Sequence, residues 1–158
     1  MIPISYVTGD ATDPQVPGPK IITHVCNDVG GWGAGFVLAL SRRWPKPEHQ
    51  YRSWHRFRGS VPFELGLVQF VDVGPELLVA NMIAQAGYVK SFTPPIRYDA
   101  VEMCLLKVAS VAAPWPASVH MPRIGCGLGG ATWERIEPII ERTLCAADIP
   151  VYVYDLAQ

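Results

Sequence analysis

The segment 121–133 is rich in glycine and lies between a strand-like and a helix-like sequence. The apolar run that begins at Ser118 predicts a buried strand, and Thr132 followed by Glu134 predicts the start of a helix. A glycine-rich turn between a strand and a helix lets the backbone approach a ligand and directs free N–H groups at it, which suits an anion such as phosphate. The segment therefore predicts a phosphate-binding loop, with glycine at positions 125, 127, 129 and 130.

A second glycine-rich segment, residues 27–35, also follows an apolar strand and leads into a helical pattern at residues 36–43. Ligands of open α/β sheets bind at the carboxyl ends of the strands, so we expect the two loops to face one crevice. Two helix N-termini beside one crevice suit a diphosphate. The competing interpretation is that the glycines only permit tight turns between strand and helix, which is the commoner use of any one of them.

The second half of the chain also contains a GxGxxG pattern, formed by Gly125, Gly127 and Gly130. This pattern is typical of dinucleotide-binding folds, and Asp155 would then be the acid that binds the ribose hydroxyls. The fingerprint normally opens a long βαβαβ unit, whereas only one helix and one strand follow it here. The dinucleotide fold is therefore an alternative and not the favoured prediction.

Length and composition indicate one compact domain. The 158 residues are 49% hydrophobic and 17% charged, and the net charge of −1 does not indicate binding to a nucleic-acid backbone. The four cysteines have no metal-binding spacing. Because we find neither a signal peptide nor an apolar run of transmembrane length, we expect a cytoplasmic protein with reduced thiols.

Strand and helix patterns alternate along the chain. They predict a three-layer α/β/α sandwich on a mostly parallel mixed sheet, as a single domain over residues 1–158. Pro138 lies inside the last helical pattern, so we predict either a break there or a kink. The predicted strands are 4–8, 21–26, 67–73, 77–84, the run from Ser118 and 151–156; the predicted helices are 36–43, 48–57, 98–112 and a last helix that buries Ile136, Ile139, Ile140 and Leu144.

Four motifs in their order resemble the macrodomain family, whose members are α/β/α modules that bind ADP-ribose. They are Gly9-Asp10 after the first strand, HVCNDVGGWGAGF, MPRIGCGLGG and VYVYDL, and together they cover nearly the whole chain. MPRIGCGL followed by a Trp-Glu helix is similar to the branch that removes terminal ADP-ribose from glutamate side chains. HVCN…GWGAG and the following RWPK resemble instead the ADP-ribose-1″-phosphate phosphatase branch.

The resemblance implies a position for each part of ADP-ribose. Asp10, next to Ala11, would accept a hydrogen bond from the adenine amino group, and Tyr154 would stack on the adenine ring. On residue type alone, Asp10 is an ordinary turn residue and Tyr154 a sheet residue. Asn27 would reach the distal ribose. The two loops would hold the diphosphate and the distal ribose through Gly33, Ala34, Gly35, Phe36, Ile124, Gly125, Cys126, Gly127, Leu128 and Gly129.

Two positions differ from the glutamate-specific branch, in which a lysine forms a covalent adduct with the distal ribose and an aspartate assists. The lysine position falls on Ala84 or Gln85 and the aspartate position on Gly129. None of these residues can attack carbon or move a proton. Lys90 would replace the lysine only if its loop folded inward.

We therefore predict hydrolysis without a lysine adduct. Asn27 and Asp28 would be catalytic and would hold a water against the distal ribose, although an Asn-Asp pair at a strand end is more often part of a turn. Without a general base the protein would be a binder or a slow enzyme.

The predicted function is to bind ADP-ribose and remove mono-ADP-ribose from acidic side chains, with neither a cofactor nor a metal. The alternatives are an ADP-ribose-1″-phosphate phosphatase and a non-catalytic ADP-ribose reader. The expected partner is ADP-ribose or a mono-ADP-ribosylated protein, with no membrane. Nucleic-acid-linked ADP-ribose is a possible partner that the sequence does not indicate. An aromatic and basic face is interpreted as a solvated helix surface, made of Trp44, Arg52, Trp54, Arg56 and Arg58.

Overall fold

The computed structural model describes residues 1–87 and 94–157, and Lys90 lies outside these ranges. Within these ranges the chain forms six strands, four α-helices and one short 3-10 helix. The strands are β1 (Ser5–Thr8), β2 (Lys20–Asn27), β3 (Val68–Gly74), β4 (Leu77–Gln85), β5 (Ser118–Met121) and β6 (Val151–Asp155). The helices are α1 (Phe36–Arg43), α2 (Lys46–Arg56), α3 (Tyr98–Ala112) and α4 (Trp133–Thr143), and the 3-10 helix is Cys145–Ala147.

All six strands belong to one sheet in the order β1-β6-β5-β2-β4-β3. Every neighbouring pair is parallel except β3 and β4, which form an antiparallel hairpin. The central strands β2 and β4 are almost entirely buried, as expected for strands that are covered on both faces. The predicted mixed, mostly parallel sheet is confirmed.

Helices cover both faces of the sheet. Helices α3 and α4 contribute to the larger apolar core, while α1 and α2 contribute to a second core on the other face. The predicted three-layer α/β/α sandwich is therefore confirmed. Within residues 1–87 and 94–157, no helix combines the length and the apolar character needed to cross a bilayer.

Two helices differ from the sequence prediction at prolines. Helix α2 begins at Lys46 rather than 48, because Pro47 occupies the first turn, where a missing N–H costs nothing. Helix α4 continues through Pro138, so of the two predicted outcomes, a break or a kink, the break does not occur. Burying an isoleucine contributes about 1.5–3 kcal/mol, and the buried Ile136 and Ile140 together offset the roughly 3 kcal/mol cost of an internal proline.

Buried polar side chains connect the central strands to helix α2. The Nε2–H of His24 donates to Oδ1 of Asn81 over 2.5 Å, since a carboxamide oxygen only accepts. The Nδ2 group of Asn81 donates to the carbonyl of Pro47 (3.2 Å) and to Oε1 of Gln69 (3.0 Å). Every polar atom of the Asn81 side chain is therefore paired, which limits the cost of burying it between β2, β3 and α2.

A second buried histidine, His120, lies on β5 opposite Tyr152 of β6. Its Nε2 is 2.8 Å from Oγ of Ser118, and its Nδ1 is 2.8 Å from the hydroxyl of Tyr154. The ring of His120 stacks on Tyr152 with centroids 4.9 Å apart. Burial lowers the pKa of both His24 and His120 to about 4, so both are neutral at pH 7.

This burial predicts a loss of stability on acidification. The ordinary pKa of histidine is 6.5 and the folded-state value is about 4, so between these pH values the unfolded chain binds protons that the folded chain does not. The free energy of unfolding should fall as the pH is lowered from 6.5, by up to about 1.4 kcal/mol per pH unit for each histidine. Urea denaturation between pH 6.5 and pH 5 measures this slope.

The variant His120→Gln keeps a donor and an acceptor but cannot be protonated. We expect it to lose about half of the slope, whatever its stability at pH 7. An unchanged slope would show that His120 does not titrate between its folded and unfolded states.

Candidate functional site

Asn27 ends strand β2 and shapes the first glycine-rich loop. Its Oδ1 accepts hydrogen bonds from the N–H groups of Val29 (3.0 Å) and Gly31 (2.9 Å). The hydroxyl of Tyr51 lies 2.6 Å from the backbone carbonyl oxygen of Asn27 and 2.9 Å from Oδ1, and its one hydrogen is shared between these two acceptors. Its Nδ2 donates to the carbonyl of Gly31 over 2.9 Å. The carboxamide therefore folds the loop over itself and keeps one Nδ2 hydrogen without a partner among the described residues.

The first loop leads directly into helix α1. Gly35 is the N-cap residue and has φ 83°, a conformation that side chains disfavour, and no side chain caps this end of the helix. The first N–H groups of a helix have no partner within the helix. Among the described residues, the amides of Gly33, Ala34, Gly35 and Phe36 accordingly have no hydrogen-bond acceptor.

The second loop, between β5 and α4, is packed tightly at two glycines. A Cβ at Gly125, which has φ 74°, would lie 2.8 Å from Cδ1 of Ile96. A Cβ at Gly129 would lie 2.7 Å from the backbone oxygen of Gly125. In the same loop, the backbone N–H groups of Gly127, Leu128 and Gly129 have no hydrogen-bond acceptor among the described residues.

The two loops line one crevice, as the sequence predicted. It has a larger chamber of about 470 Å³ and a smaller one of about 260 Å³. The residues common to both chambers are Val25, Ala34, Val37, Gln85 and Leu128.

Nearly all predicted phosphate- and ribose-binding residues line these chambers. The lining includes Gly33, Ala34, Gly35, Phe36, Ile124, Gly125, Gly127, Leu128 and Gly129. Cys126 does not line either chamber and packs against the apolar core. Burial raises the pKa of its thiol, so this cysteine is not an activated nucleophile.

The predicted adenine contacts lie together at the carboxyl ends of β1 and β6. The Oδ1 atom of Asp10 accepts hydrogen bonds from the N–H (2.8 Å) and the hydroxyl (2.7 Å) of Thr12, and its Oδ2 is 3.2 Å from Nη2 of Arg43. Burial raises the pKa of Asp10, but these hydrogen bonds outweigh that effect and the pKa is lowered overall. Asp10 is thus a fixed, ionised acceptor, and Ala11 beside it is buried.

Tyr154 lies on β6, opposite Val7 of β1. Its ring is close to Gly9, where an added Cβ would be 3.8 Å from Cδ2, and its hydroxyl is paired with His120. Burial raises the pKa of Tyr154 to about 12. The ring is therefore neutral and held in one orientation next to the Asp10 turn.

Asp155, the acid of the alternative dinucleotide fold, has a different partner. Its carboxylate accepts two hydrogen bonds from Arg123, at 2.7 Å and 3.1 Å. Arg123 also lines the smaller chamber, so this chamber extends toward the Asp10–Tyr154 end of the sheet.

The two predicted catalytic side chains occupy different environments. Asn27 lines the larger chamber, whereas Asp28 lines neither chamber. The Oδ1 atom of Asp28 accepts the N–H of Gly87 over 2.8 Å, and the N–H of Asp28 donates to the carbonyl of Gln85. Asp28 thus links the segment after β2 to the segment after β4.

The positions of the family lysine and aspartate contain no reactive group. Ala84 is fully buried in the core. Gln85 lines the crevice, and its Nε2 donates to the carbonyl of Gly87 over 2.8 Å. A side chain at Gly129 would collide with the backbone of Gly125, so no aspartate fits there without a change of the loop.

Sequence reasoning missed two residues that line the crevice. Arg52, assigned to a solvated helix face, lines the larger chamber, and Gln85 lines both chambers. The spacing of Glu48 and Arg52 is a signal that could have indicated an ordered arginine, since residues four apart on a helix form ion pairs. No local pattern indicates that this arginine faces the loop after β2.

Two solved structures share more than half of their residues with this chain. A macrodomain protein from Streptomyces coelicolor is 58% identical, with a TM-score of 0.87, over 96% of this chain and 98% of that chain. A protein of unknown function from Bacteroides thetaiotaomicron is 55% identical, with a TM-score of 0.95, over 98% of this chain and 99% of that chain. The chain belongs to the macrodomain family, as its motifs predicted.

Curated relatives carry several names. Mouse chromodomain-helicase-DNA-binding protein 1-like is 34% identical over 96% of this chain, which spans only 17% of that protein's length. An ADP-ribose 1″-phosphate phosphatase from Lodderomyces elongisporus is 24% identical over 96% of this chain and 99% of that protein. Bovine ADP-ribose glycohydrolase OARD1 is 53% identical over 38 residues, or 24% of this chain. No protein-family model matches the chain.

The geometry of the second loop predicts that the same substitution is destabilising at Gly129 and nearly neutral at Gly127. Gly129→Ala places a methyl group 2.7 Å from a backbone oxygen and should lower the free energy of unfolding by about 1–3 kcal/mol. Gly127→Ala meets no atom within 4 Å and should change it by less than about 0.5 kcal/mol. Urea denaturation of both variants measures the difference, and equal stabilities would contradict the loop packing described above.

Proposed function

We propose that this macrodomain binds ADP-ribose in the crevice and hydrolyses mono-ADP-ribose esters of acidic side chains. The observation that carries the proposal is the set of backbone N–H groups at residues 33–36 and 127–129, which have no acceptor among the described residues and belong to the two loops that line the crevice. Such groups at glycine-rich turns and helix N-termini bind phosphates. Two sets on opposite sides of one crevice suit the diphosphate of ADP-ribose.

The sheet order supports one orientation of the ligand. Asp10 and Tyr154 lie at β1 and β6, the second loop follows β5, and Asn27 and Gln85 end β2 and β4. Neighbouring strands are about 4.8 Å apart, so β1 and β4 are separated by roughly 19 Å. In our proposal adenine lies between Asp10 and Tyr154, the diphosphate lies between the loops, and the distal ribose lies in the larger chamber.

The residues of the larger chamber favour hydrolysis without a covalent intermediate. Its lining among the described residues includes no lysine and no carboxylate. In the proposed route, the remaining Nδ2 hydrogen of Asn27 and the ligand's own phosphate hold a water against the anomeric carbon. Asp28 is a positioning residue that keeps the ends of β2 and β4 together through Gly87. A general base typically accelerates such a step about 10²–10⁴-fold, so we expect slow turnover.

Two other functions each have one observation in their favour. The Lodderomyces relative, which this chain matches over 99% of its length, is named an ADP-ribose 1″-phosphate phosphatase. The lack of an acid or base in the lining of the larger chamber favours a reader that binds ADP-ribose without turnover.

One experiment separates the three functions. The protein is incubated with a protein substrate carrying glutamate-linked mono-ADP-ribose and, separately, with ADP-ribose 1″-phosphate, and released ADP-ribose and phosphate are quantified. Release of ADP-ribose from the protein substrate supports the proposal. Turnover of the phosphate ester alone supports the phosphatase, and binding without turnover of either supports the reader.

We expect no lysine adduct during turnover, because Ala84, Gln85 and Gly129 replace the reactive residues. Borohydride added during the reaction should leave no ADP-ribose on any lysine, as measured by mass spectrometry of the intact and digested protein. An adduct on Lys90 would overturn the noncovalent route.

We expect Gly127→Glu to lose ADP-ribose binding while remaining folded. The position is exposed and an added Cβ meets no atom within 4 Å, so the fold tolerates the change. A carboxylate about 4 Å from a phosphate costs roughly 4 kcal/mol at an effective dielectric constant of 20. Isothermal titration calorimetry measures the affinity.

Gly59→Glu is a matched control for this variant. Gly59 is also exposed with no atom near its would-be Cβ, but it does not line the crevice. It should bind ADP-ribose as tightly as the parent. Retained binding by folded Gly127→Glu would mean that the second loop does not hold the diphosphate.

A further inference from the structure

Arg52 is the only residue with a formal charge in the described lining of the larger chamber. Its Nε–H donates to Oε2 of Glu48 (2.9 Å), and its Nη1 donates to the carbonyl of Gly30 (3.2 Å). A guanidinium has five N–H donors, so three remain without an acceptor among the described residues. The side chain is 45% exposed and lines the chamber.

A chain of side chains holds this guanidinium in place. Trp32, which lines the same chamber, donates from Nε1 to Oγ of Ser41 over 2.8 Å, and Ser41 donates to Oε1 of Glu48 over 3.0 Å. The hydrogen bond from Arg52 is the main reason that the pKa of Glu48 is lowered. Glu48 therefore remains ionised and orients the arginine, while the first loop supplies a second anchor at Gly30.

This arrangement differs from that of the neighbouring arginine on the same helix. Arg56 lies one turn after Arg52, does not line either chamber, and contacts the ring of Phe57 with a distance of 6.0 Å to the ring centroid. The two arginines thus carry the same charge on one helix, but only Arg52 is placed at the crevice.

We propose that Arg52 binds an oxyanion on the anomeric carbon of the distal ribose, either a phosphate that is attached there or a carboxylate that is being released. The proposal rests on the proposed function, because the orientation of ADP-ribose places that carbon in the larger chamber. Guanidinium groups match the geometry of phosphate and carboxylate oxygens and form strong charge-assisted hydrogen bonds with both. The substrate class is therefore ADP-ribose derivatives with an acidic anomeric substituent.

The chemistry of this class fits a chamber without a general acid. When water attacks, its oxygen forms the new bond to the anomeric carbon, the bond from that carbon to the carboxylate oxygen breaks, and the electron pair leaves with the carboxylate. The proton of the water passes to solvent. A glutamate carboxyl group has a pKa of about 4.3, so it leaves as an anion without protonation, and a nearby guanidinium stabilises the developing charge.

Binding measurements test the proposal independently of turnover. The dissociation constants of ADP-ribose and ADP-ribose 1″-phosphate are measured by calorimetry for the parent, Arg52→Gln and Arg56→Gln. We expect Arg52→Gln to bind ADP-ribose 1″-phosphate about tenfold or more weakly, since hydrogen bonds to charged groups are strong, while its affinity for ADP-ribose changes less than twofold. Arg56→Gln removes the same charge and should change neither value.

Turnover measurements distinguish the two oxyanions. With glutamate-linked mono-ADP-ribose, Arg52→Gln should lower kcat about tenfold or more with little change in KM, and Arg52→Lys should restore part of the loss. If Arg52→Gln weakens only the binding of ADP-ribose 1″-phosphate, Arg52 binds the attached phosphate. If it lowers only the turnover of glutamate-linked mono-ADP-ribose, Arg52 stabilises the leaving carboxylate. Either result supports the binding of an oxyanion by Arg52.

The failures of the two proposals are distinguishable. If the parent binds neither ADP-ribose nor its 1″-phosphate, the proposed function and the role of Arg52 both fail. The other case is a parent protein that binds or hydrolyses these ligands. If Arg52→Gln then behaves like Arg56→Gln in every measurement, and thermal denaturation shows that Arg52→Gln is folded, only the role of Arg52 is overturned.

Discussion

The crevice depends on the carboxamide of Asn27, which ends the central strand β2. Its Oδ1 accepts from two backbone N–H groups and its Nδ2 donates to one carbonyl, which folds the first loop. The hydroxyl of Tyr51 joins Asn27 to helix α2. Helix α1 begins only a few residues after that loop, and Arg52 is the residue after Tyr51. The side-chain amide of Asn27 thus determines where the first loop and the start of α1 lie. It also determines where they lie relative to Arg52 in the lining of the larger chamber.

The reactive groups that this crevice offers to a ligand are hydrogen-bond donors. Backbone amides, the Asn27 amide and the Arg52 guanidinium can bind and stabilise negative charge, while the described lining of the larger chamber provides no group that accepts a proton readily. Preorganised donors typically account for a larger part of catalysis than a general base does. Slow hydrolysis of an ester with a good leaving group is therefore consistent with this set of residues, whereas cleavage of a bond to a poor leaving group is not.

Local patterns predicted the parts of the fold in which local and tertiary preferences agree. Helices α1 and α3 have the predicted bounds because apolar periodicity, a glycine or extended residue before the helix, and core packing all favour the same residues. Of the two outcomes predicted at Pro138, the break does not occur because burial of isoleucines on α4 outweighs the missing hydrogen bond. The loops were found from glycines that lie between a strand pattern and a helix pattern. The position of Arg52 depends instead on how α2 packs against β3 and β4, which no local spacing encodes.

The packing of Gly129 explains why the second loop has no acidic side chain at this position. Restoring an aspartate there would require the backbone of Gly125 to move, and Gly125 is itself held with φ 74° against Ile96. Residue 129 can therefore offer its backbone amide to a ligand but cannot carry an acidic side chain. The polar side chains in the described lining of the larger chamber that are not part of the loops come from β2, β4 and α2, and they are Asn27, Gln85 and Arg52. The packing of Gly129 thus accounts for the missing acid at that position, and the donors of these three elements are what the proposed reaction can use instead.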